Sequence, residues 1–397
     1  MISAPQVTEN TEPLPQRGVP AEKKSSGRII ALDILRGFLL LWMTLTHLPT
    51  KASILSNQTF GFVSGAEGFI FLAAFMVGQL EYRIEQRSGP SATVRDLSRR
   101  TLRVYFYHGA LLAIAFSLVA EIGVRYHRLA LENLLSFYLQ RPHNAIIAGA
   151  ILEYRPSLLD ILPMYIIFMM LTVAARAIAR RWGWAFVMYP SLAIWIGAQF
   201  GLRAWMYRHF DVFGLGVPEN STGAFDTYAW QFLWMAGLAL GSVYAGRSKS
   251  GTVIPGWLLK LSLTAAAIFL GLRYSPVDHW IHPDLYGWLI DKWHLGPVRV
   301  INFTALTIVL MRFGTRIASL PFMTPLAALG RASIEVFSVH VLFCIGGNAL
   351  SKDADPNLPW QQQAILLVVT ISALFITAHL RQKRAERRRL ELAAVSA

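Results

Sequence analysis

Cysteine is almost absent from this chain. Among 397 residues the sequence has one, Cys344, so no disulfide can form within the chain and no cluster of thiolates can hold a metal. Cys344 lies in an apolar stretch, where packing is the simplest explanation of a lone thiol. The sequence also lacks the HExxH metal motif, the P-loop and the dinucleotide-binding glycine fingerprint. We therefore expect no metal, and neither nucleotide hydrolysis nor hydride transfer is indicated.

Charge is scarce as well. Only 15% of the residues are charged, whereas 54% are hydrophobic. The apolar residues come in runs of about 20, the length of helix that crosses a bilayer. The sequence predicts an all-α polytopic integral membrane protein with about ten transmembrane helices. The predicted spans are approximately residues 29–48, 60–80, 102–122, 157–180, 184–204, 228–246, 253–272, 296–316, 332–351 and 361–380.

Acidic residues are outnumbered by basic ones, 23 to 37, which gives a formal net charge of +14. Nucleic acid is not indicated as a partner, because the basic runs have no interleaved aromatic residues and no soluble fold beside them. Most Lys and Arg instead fall in alternate loops, and this pattern places both termini in the cytoplasm. The densest runs, RDLSRRTLR and RQKRAERRRLE, suit the anionic surface of a lipid bilayer.

Three regions follow from this composition. Residues 1–28 are polar and rich in Pro and Ser, and they predict a disordered cytoplasmic tail before an uncleaved first span. Residues 29–380 form the predicted membrane domain. Residues 381–397 form a basic cytoplasmic tail.

The first span, ALDILRGFLLLWMTLTHLP, carries a polar stripe. Arg36 and His47 are eleven positions apart, which on an α-helix is about 20° past three full turns and roughly 16 Å of rise. Asp33 and Thr44 lie on the same stripe. Because such residues are expensive in lipid, we expect the stripe to face protein or water.

These polar residues also have plainer interpretations. Arg36 could reach towards the interface or pair with Asp33, three residues before it. His47 could be an interfacial residue ahead of Pro49. Glu67, between glycines of the second span, needs a partner, and the sequence leaves open whether it orients His47 or pairs with Arg36.

Six segments of the chain, in order, resemble one family. They are ALDILRGFLLLWMTLTHLP, GFVSGAEGFIFLAAFMVG, DILPMYIIFM, YAWQFLWMAG, DKWHLGPVRVINF and LGRASIEVFSVHV. Over about residues 29–380 the chain resembles the OpgC family of integral-membrane succinyltransferases that act on osmoregulated periplasmic glucans. That family is similar to the broader acyltransferase-3 group, whose first span carries a basic residue, ten intervening positions and a histidine, as Arg36 and His47 do here.

The resemblance implies an enzyme of the bacterial inner membrane that moves an acyl group from cytoplasmic acyl-CoA, succinyl-CoA above all, to a glycan hydroxyl on the outer side. Such a reaction needs a base, and imidazole titrates nearest working pH, so His47 is the predicted base. Arg36 is expected to bind the CoA or succinyl anion. Asp33 and Glu67 complete the predicted catalytic set.

Four further residues are predicted to contact the glycan acceptor. Asp160 lies at the outer start of the fourth span, where it could equally be a helix N-terminal carboxylate. Trp230, Gln231 and His294 lie in the segments that match the family. His340 is instead expected to be a packing residue, because it follows Glu335 by five positions and so does not share its helix face.

Two function classes remain open at this point. The first is an acyl-CoA-dependent O-acyltransferase of a periplasmic glucan, or an enzyme of the same kind that acetylates another surface polysaccharide. The second is a transporter of a polysaccharide or small molecule, since charges within the membrane also mark transport pathways. Against a transporter, the ten predicted spans show no internal repeat. The glycine pairs of GLALGS, residues 237–242, predict close packing of two helices.

Overall fold

The computed structural model describes residues 27–209, 214–246, 254–276 and 281–396. All regular structure in these ranges is helical, which confirms the predicted all-α class. The α-helices are α1 Gly27–His47, α2 Ala52–Ser56, α3 Gly65–Ser88, α4 Pro90–Ile114, α5 Ala120–Tyr126, α6 Leu129–Leu134, α7 Ser136–Gln140, α8 Pro142–Ala150, α9 Ile161–Trp182, α10 Ala185–Gln199, α11 Leu202–His209, α12 Thr227–Gly246, α13 Gly256–Arg273, α14 Pro283–Ile290, α15 Pro297–Ala318, α16 Leu326–Arg331, α17 Ser333–Asn348 and α18 Trp360–Ser396.

Each predicted span falls on a helix, but the count of ten is not confirmed. Within the described ranges, six helices are long and apolar enough to cross a membrane: α1, α4 continued into α5, α9, α13, α15 and α18. The number rises to eight if α10 with α11, and α16 with α17, each form one bent span. The protein is therefore a multi-pass membrane protein with six to eight candidate spans. The other two predicted spans lie on α3 and α12, which are too polar for this count.

The fifth predicted span is not one straight helix. The chain bends by 85° between α10 and α11. Gly201, at this break, has φ of +85°, a left-handed conformation that glycine adopts without steric cost. The span predicted over about 184–204 therefore corresponds to a bent pair of helices.

Helices α3 and α12 pack against each other along a seam of glycines. A Cβ atom on Gly241 would lie 2.1 Å from the carbonyl oxygen of Phe75, and one on Gly78 would lie 2.3 Å from that of Leu238. Glycine at these positions lets the two backbones touch, which confirms the close packing predicted from GLALGS.

A second glycine contact fixes α1, the helix that carries the polar stripe. A Cβ atom on Gly37 would lie 1.9 Å from the carbonyl oxygen of Leu326 on α16, and one on Gly330 would lie 1.9 Å from that of Asp33. These two contacts fix the rotation of helix α1 about its own axis in the region of Arg36. We call the two ends of α1, and of the bundle around it, the Arg36 end and the His47 end.

The tails are only partly described. Residues 1–26 of the predicted N-terminal tail lie outside the described residues, and Gly27 already begins α1. At the other terminus, residues 381–396 of the predicted basic tail continue α18 as helix.

Candidate active site

The polar stripe lies on one continuous helix, as predicted, and α1 ends at His47. Pro49 stands two positions later and disfavours helical conformation in the residue before it, which accounts for the end of the helix. Thr44 is buried, and its hydroxyl donates to the carbonyl of Leu40 at 2.8 Å. The hydroxyl is therefore satisfied within α1, and the functional groups of the stripe are at its two ends.

His47 lines a cavity of about 470 Å³ at its end of the bundle. The walls come from α1, α2, α9, α17, and the loops that precede α12 and α15. Asp160, a predicted acceptor residue, lines the same cavity. The lining is formed by Thr46, His47, Ser53, Ile54, Asn57, Ser157, Leu158, Asp160, Ile161, Ala224, Phe225, Lys292, Trp293, Phe337 and His340.

The nearest polar partner of His47 is a second histidine. Nδ1 of His47 is 3.4 Å from Nε2 of His340, and the two rings stack with centroids 5.4 Å apart. On its far side, Nδ1 of His340 is 3.4 Å from Sγ of Cys344, one turn further along α17. From the sequence, His340 and Cys344 are expected to be packing residues, and this chain of contacts is not predicted. Their i, i+4 spacing, which places both on one helix face, was the available signal.

Asp160 directly precedes α9, at the position of an N-cap, but its side chain makes no capping hydrogen bond. Its Oδ2 instead accepts a hydrogen bond of 3.0 Å from the backbone N–H of Ala224. The carboxylate is nearly buried and joins two walls of the cavity. The side chain of Asp160 therefore does not act as a helix cap, and its contact with an acceptor stays a prediction.

Lys292, in the DKWHLGP segment, lines the cavity although its role was not predicted from the sequence. Its Nζ is 4.9 Å from the ring centroid of Trp293 and 5.8 Å from that of Phe225. Burial lowers the pKa of Lys292, while the negative charge of Glu67 opposes this shift. The cavity thus combines two imidazoles, one carboxylate and one amine against aromatic walls.

Glu67 does not pair with His47 or Arg36, so both expected partners are wrong. Its Oε1 accepts a 2.8 Å hydrogen bond from Nε of Arg299 and a second bond from the Nη2 of the same guanidinium, and both side chains are fully buried. Its other oxygen accepts the backbone N–H of Ser64 at 3.0 Å, in a capping box that starts α3. Arg299 also contacts the carbonyl of Ile290, just before the loop with Lys292. Glu67 therefore positions the cavity wall.

At the other end of the stripe, Asp33 pairs with Arg331 on α16, with 3.4 Å between Oδ2 and Nε. The expected hydrogen-bonded pair of Asp33 with Arg36 is not formed. The Nε atom of Arg36 is buried and makes no hydrogen bond within the described ranges. Its ionisable neighbours include Tyr165 and Arg100. Arg36 thus faces the protein interior with bonding capacity left over.

Trp230 and Gln231 do not line the His47 cavity. Trp230 is fully buried, and its Nε1–H donates to the carbonyl of Trp293 at 3.0 Å. Gln231 exchanges hydrogen bonds with Ser191 of α10, at 2.7 Å each. The structure gives both side chains structural partners and offers no support for their predicted contact with an acceptor.

His294 lies in a neighbouring cavity, not in that of His47. Its Nδ1 is 2.5 Å from Oδ2 of Asp291, and this hydrogen bond raises the pKa of His294. The loop is held firmly, because the carbonyl of His294 accepts from Gln199 at 2.6 Å and that of Leu295 accepts from Trp195 at 3.0 Å.

The fold and cavity together define a class: a multi-pass helical membrane protein with a histidine-lined cavity at one end of its bundle. A family model described as OpgC protein matches residues 28–386. The chain belongs to the OpgC family, and this membership implies an acyltransferase. Comparisons with curated proteins and with solved structures gave no match.

Proposed function

We propose that this protein transfers a succinyl group from succinyl-CoA to a hydroxyl of a periplasmic glucan, with His47 as the general base. The observation that carries the proposal is the His47–His340 contact at the wall of a polar cavity. In the OpgC family the transferred group is expected to be an acyl group, and a histidine of the cavity can act as the base that ester formation needs.

In the proposed reaction, Nε2 of His47 takes the proton of the glucan hydroxyl as its oxygen attacks the thioester carbonyl. The tetrahedral intermediate then expels the CoA thiolate, which receives that proton from the imidazolium. One C–O bond forms and one C–S bond breaks, and the histidine returns to its neutral form. Lys292, the amine of the cavity, offsets the negative charge that develops on the oxygen.

The two contacts of His340 determine which nitrogen of His47 can act. If Nδ1–H of His340 donates to Cys344, its Nε2 has a lone pair that accepts Nδ1–H of His47. His47 then has a free lone pair on Nε2, as a base requires. In the reverse arrangement Nε2 of His47 would carry the proton and could not accept another. We infer that His340 is a positioning residue that selects the active tautomer.

Arg36 is proposed to bind the anionic donor. It lies roughly 16 Å along α1 from His47, so the extended pantetheine arm of CoA can connect the two positions. With this orientation, the Arg36 end is cytoplasmic and the His47 end faces the periplasm. Both termini are then cytoplasmic, and the protein belongs to the bacterial inner membrane. The membrane domain over 29–380 and the flanking tails stay proposals of the same kind.

We expect the purified protein in detergent to release free CoA when it receives succinyl-CoA and a glucan. Catalysis needs no membrane gradient, whereas transport does. The product should be an alkali-labile ester that adds one negative charge per succinyl group and shifts the glucan on anion exchange. Release of CoA can be followed with a thiol reagent. If no acyl donor yields CoA while labelled glucan crosses sealed vesicles, the cavity belongs to a transport pathway.

Arg36→Lys keeps the positive charge but loses the planar fork of donors, so we expect the KM for succinyl-CoA to rise about tenfold. The kcat should change less, because Arg36 is distant from the base. Steady-state kinetics at saturating glucan would measure both constants. Arg87→Lys, at an exposed arginine of α3, is the matched control. Unchanged kinetics in the Arg36 variant would indicate an arginine with a structural role only.

A further inference from the structure

A second cavity, of about 600 Å³, adjoins the cavity of His47. Both cavities have Ala224 and Trp293 in their walls, so they are neighbouring compartments at one end of the bundle. Each volume lies in the range of about 300–1,000 Å³ that is typical of small-molecule sites. The proposed reaction uses only the first compartment, and the second has no role in it.

The residues that line the second cavity include four with hydrogen-bonding side chains. These four are Arg203, Glu219, Asn220 and His294, and Trp293 is the aromatic residue of the wall. Carboxylate, amide and imidazole groups offer both donors and acceptors, which is the combination that sugar hydroxyls need. A phosphate would match this lining less well than a sugar does, because the lining includes the carboxylate of Glu219.

Hydrogen bonds within the protein hold the loop that forms one wall of this cavity. The Nη2 of Arg203 donates to the carbonyl of Glu219 at 3.0 Å, to Oγ1 of Thr222 at 2.8 Å and to the carbonyl of Gly223 at 2.7 Å. One guanidinium thus holds the loop that carries the polar side chains. A site that is ordered before binding loses less entropy when its ligand arrives.

Trp293, which lines both cavities, is held in place through its backbone carbonyl and its ring. Its carbonyl accepts the backbone N–H of Asp226 at 3.0 Å and Nε1–H of Trp230 at 3.0 Å. Its ring meets Phe225 edge to face, with centroids 5.3 Å apart. A fixed aromatic ring in the wall of both cavities is suited to stack against a sugar that spans them.

We propose that the second cavity is a subsite for the sugar unit next to the one that is acylated. This inference rests on the proposed function, because it takes the His47 cavity as the site of acylation. The protein should then bind an oligosaccharide across Trp293, with one unit at His47 and its neighbour against His294 and Asn220. A disaccharide, which can occupy both cavities, should therefore bind more tightly than a single glucose unit.

The test is calorimetric titration of the full-length protein in detergent with glucose and with a glucose disaccharide, without acyl donor. It is performed on the His47→Ala protein as well as the wild type, so that binding is separated from transfer. We expect the longer ligand to bind about tenfold more tightly, and the double variant Glu219→Gln, Asn220→Ala to lose most of this preference, as expected for about 1.4 kcal/mol of lost hydrogen bonding.

The chain offers a matched control pair. Glu132 and Asn133 are also adjacent, have the same order and similar exposure, and line neither cavity. Glu132→Gln with Asn133→Ala should leave the length preference unchanged. The subsite is refuted if wild type binds both ligands equally, or if the Glu219 and Asn220 variant keeps the preference. Intact length-dependent binding without any acyl transfer would instead refute the proposed function alone.

Discussion

His47→Ala is expected to lower succinyl transfer by roughly 10² to 10⁴, the range that a general base contributes. Alanine removes the nitrogen that takes the hydroxyl proton, and the described walls of the cavity offer no second imidazole except His340, which is nearly fully buried. The loss should fall on kcat, because the proposed binding residue for succinyl-CoA is Arg36 and not His47. Initial rates of CoA release, with saturating donor and glucan, would measure it.

His108→Ala is the matched control for this variant. His108 is also a histidine within a predicted span, its Nε2 contacts the carbonyl of Gly149 at 3.3 Å, and it lines neither cavity. Its replacement should leave the transfer rate within a few fold of wild type. If a well-folded His47→Ala protein transfers succinyl as fast as wild type does, His47 is not the base.

Local features of this structure were predictable from the sequence. The stripe on α1 follows from helix geometry alone, and α1 is one helix from Gly27 to His47. The glycine seam follows from the spacing of small residues in GLALGS, because only small residues let two backbones touch. Both inferences need only one segment of chain at a time.

Long-range pairs were not predictable in the same way. Glu67 and Arg299 are 232 positions apart, and His47 and His340 are 293 apart. A hydrophobic pattern gives the face of each helix that avoids lipid, but it does not give which helix lies opposite. The partner of a buried charge is therefore undetermined until the packing is known, even where the need for a partner is evident.

The four residues predicted to contact the acceptor fall into two groups, and the sequence alone does not separate them. Asp160 and His294 lie next to cavities, whereas Trp230 and Gln231 are buried behind the wall. All four lie in segments that match the family, so the match alone could not separate a contact residue from a supporting one. Exposure to a cavity makes this distinction. For Trp230 and Gln231, that exposure depends on the rotation of α12 about its axis.

His340→Leu is the second variant with a large expected effect. Leucine fills similar space but cannot accept Nδ1–H of His47, so both tautomers of His47 become populated and its ring is less well oriented. We expect kcat to fall about 10- to 100-fold, the usual cost of removing the group that orients a functional histidine. The KM values for succinyl-CoA and glucan should change much less, since a positioning role affects the chemical step.

His340→Gln distinguishes tautomer control from simple packing. The side-chain carbonyl of glutamine can accept Nδ1–H of His47 near the place of the lost Nε2, so this variant should recover most of the lost kcat. Cys344→Ala should reduce kcat only a few fold, because it removes the weak acceptor that biases His340 but leaves the contact with His47. Equal losses of kcat in the leucine and glutamine variants would mean that His340 contributes its shape alone. A leucine variant with wild-type kcat would show that His47 selects its tautomer without His340, and the proposed arrangement of protons along α17 would then be wrong.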